Sequence, residues 1–235
     1  MLAGFRKGLN PQSEDILKRF MKKTYSNPSF EIEIKLRDEG YTLIAGVDEV
    51  GRGALAGPIV AAAVVFNIEK KFNGLDKIAD SKILGKDDRE DVEKIIRKEA
   101  NLIGIGEVSV SEIDKFGVGK ANILAFDRAL KDIEIDFVLI DGRNFMGFNY
   151  RYRCIEKGES KSISIAAASI MAKVYRDQIM NELHSYNSIY GFDKHKGYGV
   201  KSHIKAIRKH GPSPDHRKSF LRKILLDQDT TAKVH

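Results

Sequence analysis

Cysteine is nearly missing from this 235-residue chain, which carries Cys154 alone. A single thiol excludes an internal disulfide and any cysteine-rich zinc site, and it suits a reducing compartment. No apolar stretch approaches the length of a membrane span, and the opening MLAGFRKGLNPQSEDILKRF holds no apolar core of signal-peptide length. A cytoplasmic protein is expected. The six histidines never fall in the H-E-x-x-H pattern of a zinc protease, and they read as surface or phosphate-side residues. Internal repeats and low-complexity segments are absent as well. Acidic residues all but vanish from one interval: between Lys194 and Lys223 stand ten Lys or Arg and a single acid, Asp215. The chain as a whole has a net charge of +7, so the remainder is close to neutral. A concentrated basic segment beside a near-neutral body points to a polyanionic partner, although a lysine-rich solubilising helix gives the same charge.

What is present is an ordinary globular composition, 42% apolar and 31% charged, in a chain long enough to bury a core without staples. Residues 11–25 read as an amphipathic helix opened by Asn10 and Pro11, with Ile16, Leu17, Phe20 and Met21 on one face. The stretch NPSFEIEIKLRDEG alternates like a strand at Phe30, Ile32, Ile34 and Leu36. Its Asn-Pro start, its Gly40 stop and the i,i+4 pairs Glu31–Lys35 and Glu33–Arg37 favour a helix instead. From Tyr41 onward, TLIAGVD, PIVAAAVVF, NLIGIGEVSV, DFVLIDG and YRYRCIE read as strands. Helices are expected over 86–100, 118–133, 162–187, 201–210 and 214–226. Strands first and helices later predict an α/β protein, a mixed sheet with helices on both faces and a helical C-terminal part.

Three places carry acids that need a reason. Asp48 and Glu49 are adjacent at the end of an apolar strand, where neighbours ought to face opposite ways; a strand that bends or ends there could serve both, and Gly51 and Gly53 permit that. Asp141 closes the apolar run FVLI, and strand ends are where open α/β sheets bind ligands. Asp177 lies in the long helix, in a polar stripe with Ser162, Ala166, Ser169 and Lys173 at steps of three and four. That stripe could simply face solvent, and Lys173 could simply pair with Asp177. If Asp48, Glu49, Asp141 and Asp177 converge, their repulsion calls for cations, and hard divalent ions with oxygen ligands, Mg²⁺ or Mn²⁺, are the natural ones. Two such ions support phosphodiester hydrolysis. Neither Ser162 nor Ser169 has an obvious histidine partner, so a serine nucleophile is unsupported.

Taken in order, AGVDEVGRGALAGPIVAAAV, DSK (80–82), IDG (140–142), AAASIMAKVYRD (166–177) and HKGYG (195–199) closely resemble the type 2 ribonucleases H, in the single-chain prokaryotic form called ribonuclease HII. The resemblance spans about residues 28–222. It implies a ribonuclease H-like fold, a five-stranded mixed sheet flanked by helices with a helical C-terminal region. The chain would divide into an N-terminal helical extension (1–40), a catalytic domain (41–190) and a basic helical region packed on it (191–235). It further implies a monomeric endonuclease that cuts the RNA strand of RNA–DNA hybrids and cuts beside single ribonucleotides in duplex DNA, leaving 5′-phosphate and 3′-hydroxyl ends. By the same resemblance, Asp48, Glu49, Asp141 and Asp177 are the catalytic, metal-binding acids. Gly51, Arg52 and Gly53 approach the ribonucleotide 2′-hydroxyl, the group that distinguishes RNA from DNA. Tyr198 stacks on the deoxyribose that follows, Lys82 lies near the substrate backbone, and Ser169 and Lys173 assist from the helix face.

The sequence departs from the usual family pattern at Ile83, Gly85, Val200 and Glu159, the last replacing a frequent aspartate; none of these falls on the four acids, the glycine turn or Tyr198. Two rival functions remain. Gly51, Gly53 and Ala56 fit the G-x-G-x-x-A spacing of a nicotinamide-dependent oxidoreductase, which requires a helix to start at the glycines. A non-catalytic nucleic-acid-binding protein would use the basic segment and Tyr198, and has no need of four acids.

Overall fold

The computed structural model describes residues 28–78, 84–143 and 147–231. The helix expected at 11–25 and the DSK segment with Lys82 lie outside the described residues. Helix α1, Glu31–Asp38, resolves the ambiguous first stretch in favour of its ion-pair spacing. Strands β1 (Ile44–Val50) and β2 (Ile59–Val65) follow, then α2 (Lys86–Glu99), β3 (Leu102–Val108), α3 (Val110–Phe116) and α4 (Val118–Leu130). Strands β4 (Phe137–Asp141) and β5 (Tyr152–Ile155) precede the long α5 (Ile163–Tyr186), and α6 (Phe192–His195), α7 (Lys201–His210) and α8 (Lys218–Thr231) complete the order. The glycine turn after β1 therefore leads into strand β2 and not into a helix, which removes the dinucleotide-binding alternative.

The sheet runs β3-β2-β1-β4-β5, with β1–β2 and β2–β3 antiparallel and β1–β4 and β4–β5 parallel. Side chains alternate across it. Ala45, Val47, Ile59, Ala61, Ala63, Val138 and Ile140 pack with Ala121, Ala125 and Phe126 of α4. Val60, Ala62 and Val64 pack on the other side with α5 and with Val92 and Ile96 of α2. Each of the larger buried aliphatic side chains contributes about 1.5–3 kcal/mol. The three alanines of β2 let helices approach from both faces. Gly46 does the same for α5, because a Cβ there would lie 2.2 Å from the Ser164 carbonyl carbon.

Helix α5 is buried continuously from Ile163 to Ala172, so its polar stripe at Ser162, Ala166 and Ser169 meets the sheet and not solvent. Its N-terminus is held from α1: the Glu33 carboxylate accepts from Ser162 Oγ at 2.6 Å and from the Ser164 N–H at 3.1 Å. An acid at a helix N-terminus satisfies orphan donors and the macrodipole together. The C-terminal helices pack through Tyr190, Phe192, Ile207 and Leu221 onto Met180 and onto Leu55 and Ala56 of the glycine turn. Helix α8 starts four residues later than expected. Residues 213–217 are occupied by a turn, and Asp114 of α3 caps the helix by accepting from the Lys218 and Ser219 N–H groups.

Candidate active site

Strands β1 and β4 run parallel with Val47 opposite Ile140, so Asp48 and Asp141 stand side by side at the end of the register. Alternation sends Asp48 to the α5 face and Glu49 to the α4 face. The strand ends one residue later, at Val50, so both acids line the cleft beyond the sheet edge. Asp48 is 8% exposed. It accepts the Glu49 N–H at 2.8 Å and bonds to the Ser169 hydroxyl. Glu49 meets the side chain of Asn122 in α4 and lies 3.7 Å from Arg52. Asp141 accepts the Gly158 N–H at 2.6 Å, which fixes the next residue, Glu159, against the same cleft. Ser169 Oγ donates to Glu159 at 3.3 Å, so one hydroxyl sits between two acids from distant segments.

Burial holds the Asp48 carboxyl well above the usual range, and the charges of Glu49, Asp141 and Glu159 push it the same way. Glu49 is raised too, mainly by burial and further by Asp141, with Arg52 and the Asn122 bond opposing. Deficient neutralisation is the electrostatic signature of this cleft.

Asp177 is not among these acids. It lies eight residues beyond Ser169 on α5, about 12 Å along the axis, and lines a separate small depression with Lys86, Arg89, Glu90 and Gln178. There it accepts from Lys173 Nζ at 2.7 Å. Lys173 itself lines the acid cleft, and Arg89 lines both depressions, so Asp177 borders the basic side of the cleft without lining it. The fourth acid near Asp48 is Glu159, one of the positions that depart from the usual family pattern.

The cleft, about 500 Å³, is also lined by Gly51, Arg52, Gly53, Arg89 and Tyr198. Gly51 and Gly53 are glycines for different reasons. Gly51 has φ +90° and backs onto Arg176, whose Nε would lie 2.2 Å from an added Cβ. Only Gly53 faces open space. Arg89 and Asn122 were not singled out from sequence; one is a charged residue at a helix start and the other a polar residue inside an apolar helix. Tyr198 is 36% exposed, and its ring lies over the Arg176 guanidinium at 5.6 Å.

A family model described as ribonuclease HII matches residues 45–224. The chain belongs to the ribonuclease HII family. A ribonuclease HII of Clostridioides difficile is 46% identical over 190 residues, covering 80% of this chain and 73% of the relative. The crystal structure of ribonuclease H2 from Pyrococcus horikoshii matches with a TM-score of 0.65 at 25% identity, over 81% of this chain and 99% of that one. A Bst ribonuclease HIII solved in complex with Mn²⁺ shares the fold, with a TM-score of 0.61 at 20% identity over 82% and 71% of the two chains. The fold is ribonuclease H-like, and the protein is an endonuclease of the hydrolase class. The binding-only alternative is thereby set aside. Among the described residues no helix is long and apolar enough to cross a membrane.

Behind Tyr198, this ribonuclease HII corrects the reading of its histidines as surface residues. His203 and His216 are 0% and 1% exposed. The Ser213 N–H donates to His216 Nδ1, the two Nε2 atoms lie 3.0 Å apart, and His203 Nδ1 meets the Tyr198 carbonyl at 2.9 Å. One arrangement of protons satisfies this chain with both rings neutral: His203 donates to Tyr198 and His216 donates to His203. Burial pushes both rings down to about 4 from 6.5. The unfolded chain therefore binds more protons between those values, and stability falls as pH drops through that window, by up to about 1.4 kcal/mol per pH unit for each ring. The acid cluster has the opposite sign, so the check is a difference. Melting temperatures of wild type and His216→Gln, followed from pH 7 to 4.5, are expected to converge as the wild type loses more; parallel curves would refute neutral burial.

Proposed function

We propose that this cleft hydrolyses the RNA strand of RNA–DNA hybrids and cuts on the 5′ side of single ribonucleotides in duplex DNA, leaving 5′-phosphate and 3′-hydroxyl ends. The observation that carries this is the meeting of Asp48, Glu49 and Asp141 in one cleft at the ends of two neighbouring strands, with Glu159 of the following 3-10 turn joined to Asp48 through Ser169. Their fit to Mg²⁺ or Mn²⁺ rests on chemistry: oxygen donors only, with Asp48 and Glu49 held above their usual range by burial first and by neighbouring acids as well. Among the described residues, no three acid, histidine or cysteine side chains form a ready-made cation cage. That suits small hard ions, which keep several waters and take substrate phosphate oxygens as further ligands. When bound, a pair of such ions supplies an activated water and charge neutralisation at the leaving oxygen.

The chain's own residues do the rest. Asp48, Glu49, Asp141 and Glu159 hold the ions, and Ser169 orients two of these carboxylates through its hydroxyl. Lys173, steadied by Asp177, and Arg89 place positive charge where the phosphate backbone enters. Arg52 and the open backbone at Gly53 face the ribose, and Tyr198 presents its ring to the sugar that follows. Lys201, Lys205 and Arg208 share one exposed face of α7 and extend the positive surface toward the flanking duplex.

The test is cleavage of three duplexes with and without Mg²⁺: one ribonucleotide in DNA, a long RNA–DNA hybrid, and all DNA. Metal-dependent cutting of the first two, with the third intact, is expected. Tyr198→Ala should lower cleavage at the lone ribonucleotide on the order of tenfold or more, a stacking contact being worth about 1–3 kcal/mol, and should affect the long hybrid less. An equal loss on both substrates removes Tyr198 from junction reading.

A further inference from the structure

Arg176 and Arg217 are both 0% exposed, and they direct their donors to main-chain carbonyls. Arg176, from α5, donates to Pro58 O at 2.8 Å, Lys196 O at 2.9 Å and Ala56 O at 3.0 Å. Arg217 donates to Gly57 O through Nε at 3.0 Å and Nη2 at 2.8 Å, and to Arg52 O at 3.1 Å. Five carbonyls are thus gathered onto two adjacent guanidinium groups, four of them from the glycine turn and one from the Tyr198 loop. Burial is expensive for such groups, and Arg217 is pushed down to about 9, by burial first and by Arg176 second.

The geometry has a consequence on the cleft side. A trans peptide holds its N–H opposite its C=O. With the Arg52 carbonyl drawn to Arg217, the Gly53 N–H is turned away from the core, at a glycine that lines the cleft and faces open space. Arg176 spans the other dimension. It joins the turn to Lys196, which sits at φ 51° two residues before Tyr198, and its guanidinium lies beneath the Tyr198 ring. A left-handed lysine persists only where its surroundings over-determine it.

We propose that Arg176 and Arg217 are positioning residues for substrate selection, a buried strut that sets the Arg52–Gly53 peptide and the Tyr198 ring at one separation. The proposal rests on the reading of the turn and Tyr198 given above, in which the first meets the ribonucleotide and the second the sugar that follows it. The acids do not depend on the strut, since β1, β4 and the Gly158 turn place them.

A lysine cannot replace either fork, because one ammonium does not reproduce the planar guanidinium that bonds two or three separate carbonyls at once. Arg217→Lys and Arg176→Lys are expected to lose kcat/KM on the single-ribonucleotide duplex on the order of 10²-fold, the scale of a misplacement of about 1 Å. Cleavage of a long RNA–DNA hybrid, measured with Mg²⁺ on the same preparations, should fall only several-fold. Amide exchange in α4 verifies that each variant is folded; Arg217→Gln, neutral but still a donor, takes the place of a lysine variant that is not. Equal losses on both substrates, or none on either, overturn the strut while leaving the proposed function intact. A wild type that cuts the long hybrid but not the lone ribonucleotide overturns the junction reading and the strut with it.

Discussion

Asp48→Asn should lose cleavage by about 10³-fold or more and, in metal-free buffer at a pH where the wild-type carboxyl is ionised, melt at a higher temperature than the wild type. Both effects have one origin. The side chain is almost fully buried beside three other acids, and its carboxyl is held well above the ordinary range, by burial first and Glu49 second. For a raised acid, the contribution to stability is fully present below the unfolded value of 3.8 and is lost as pH rises through the folded value. Where the carboxyl is ionised and no metal is bound, the wild type has lost it, and asparagine removes the charge responsible. Each kcal/mol recovered raises the melting temperature of a chain of this size by about 2–4 °C. Adding Mg²⁺ should close the gap, because ions stabilise only the folded protein that binds them. The activity loss corresponds to about 4 kcal/mol of transition-state stabilisation, within what a metal centre supplies. Turnover near wild type, or a metal-free melting temperature below it, would show that Asp48 is not a strained metal ligand.

Glu159→Gln against Asp177→Asn is the second decisive comparison, since it pits position in the sequence against position in space. Glu159 shares Ser169 with Asp48 and contributes to the repulsion that raises it. Its neutral isostere should lower cleavage on the order of 10²-fold or more, with the loss in kcat. Asp177 acts through Lys173, and a partly exposed ion pair is worth about 1 kcal/mol at most. Asp177→Asn should therefore cost about fivefold, mostly in KM, with steeper salt dependence. The reverse ranking would return Asp177 to the metal site and leave Glu159 a buried structural acid.

The placing of Asp177 apart from the other three acids shows where the sequence stops being legible. Steps of three and four correctly put Ser162, Ser169, Lys173 and Asp177 on one face of α5, but a shared face says nothing about depth. Eight residues of rise carry Asp177 past the sheet edge. Glu159 was hidden by its local setting, a 3-10 turn between β5 and α5 that has no periodicity to read. Apolar runs identified β1, β2 and β4 well, because buried strands need them. Helix α3 was missed although Ser109 and Glu112 form a capping box, since VSV before it continued the strand pattern. Gly51 lines the cleft as expected, but the lack of a side chain there is required by Arg176, a contact 125 residues away that no local pattern carries. His203 and His216 were taken for surface residues because histidine is polar; their burial depends on a hydrogen-bond chain that closes only in three dimensions.

The Arg217 bonds have a kinetic meaning besides the static one. They join positions 160 and 165 residues apart, among the longest loops this chain closes. Loop-closure entropy and the dependence of folding rate on contact separation both place such bonds late. On a ribosome the turn at 51–58 emerges early but cannot be set until residue 217 has been made. The acids at 48, 141 and 159 are complete some sixty residues sooner. Synthesis therefore runs in a fixed order, with the acid positions made first and the residue that holds the turn made last.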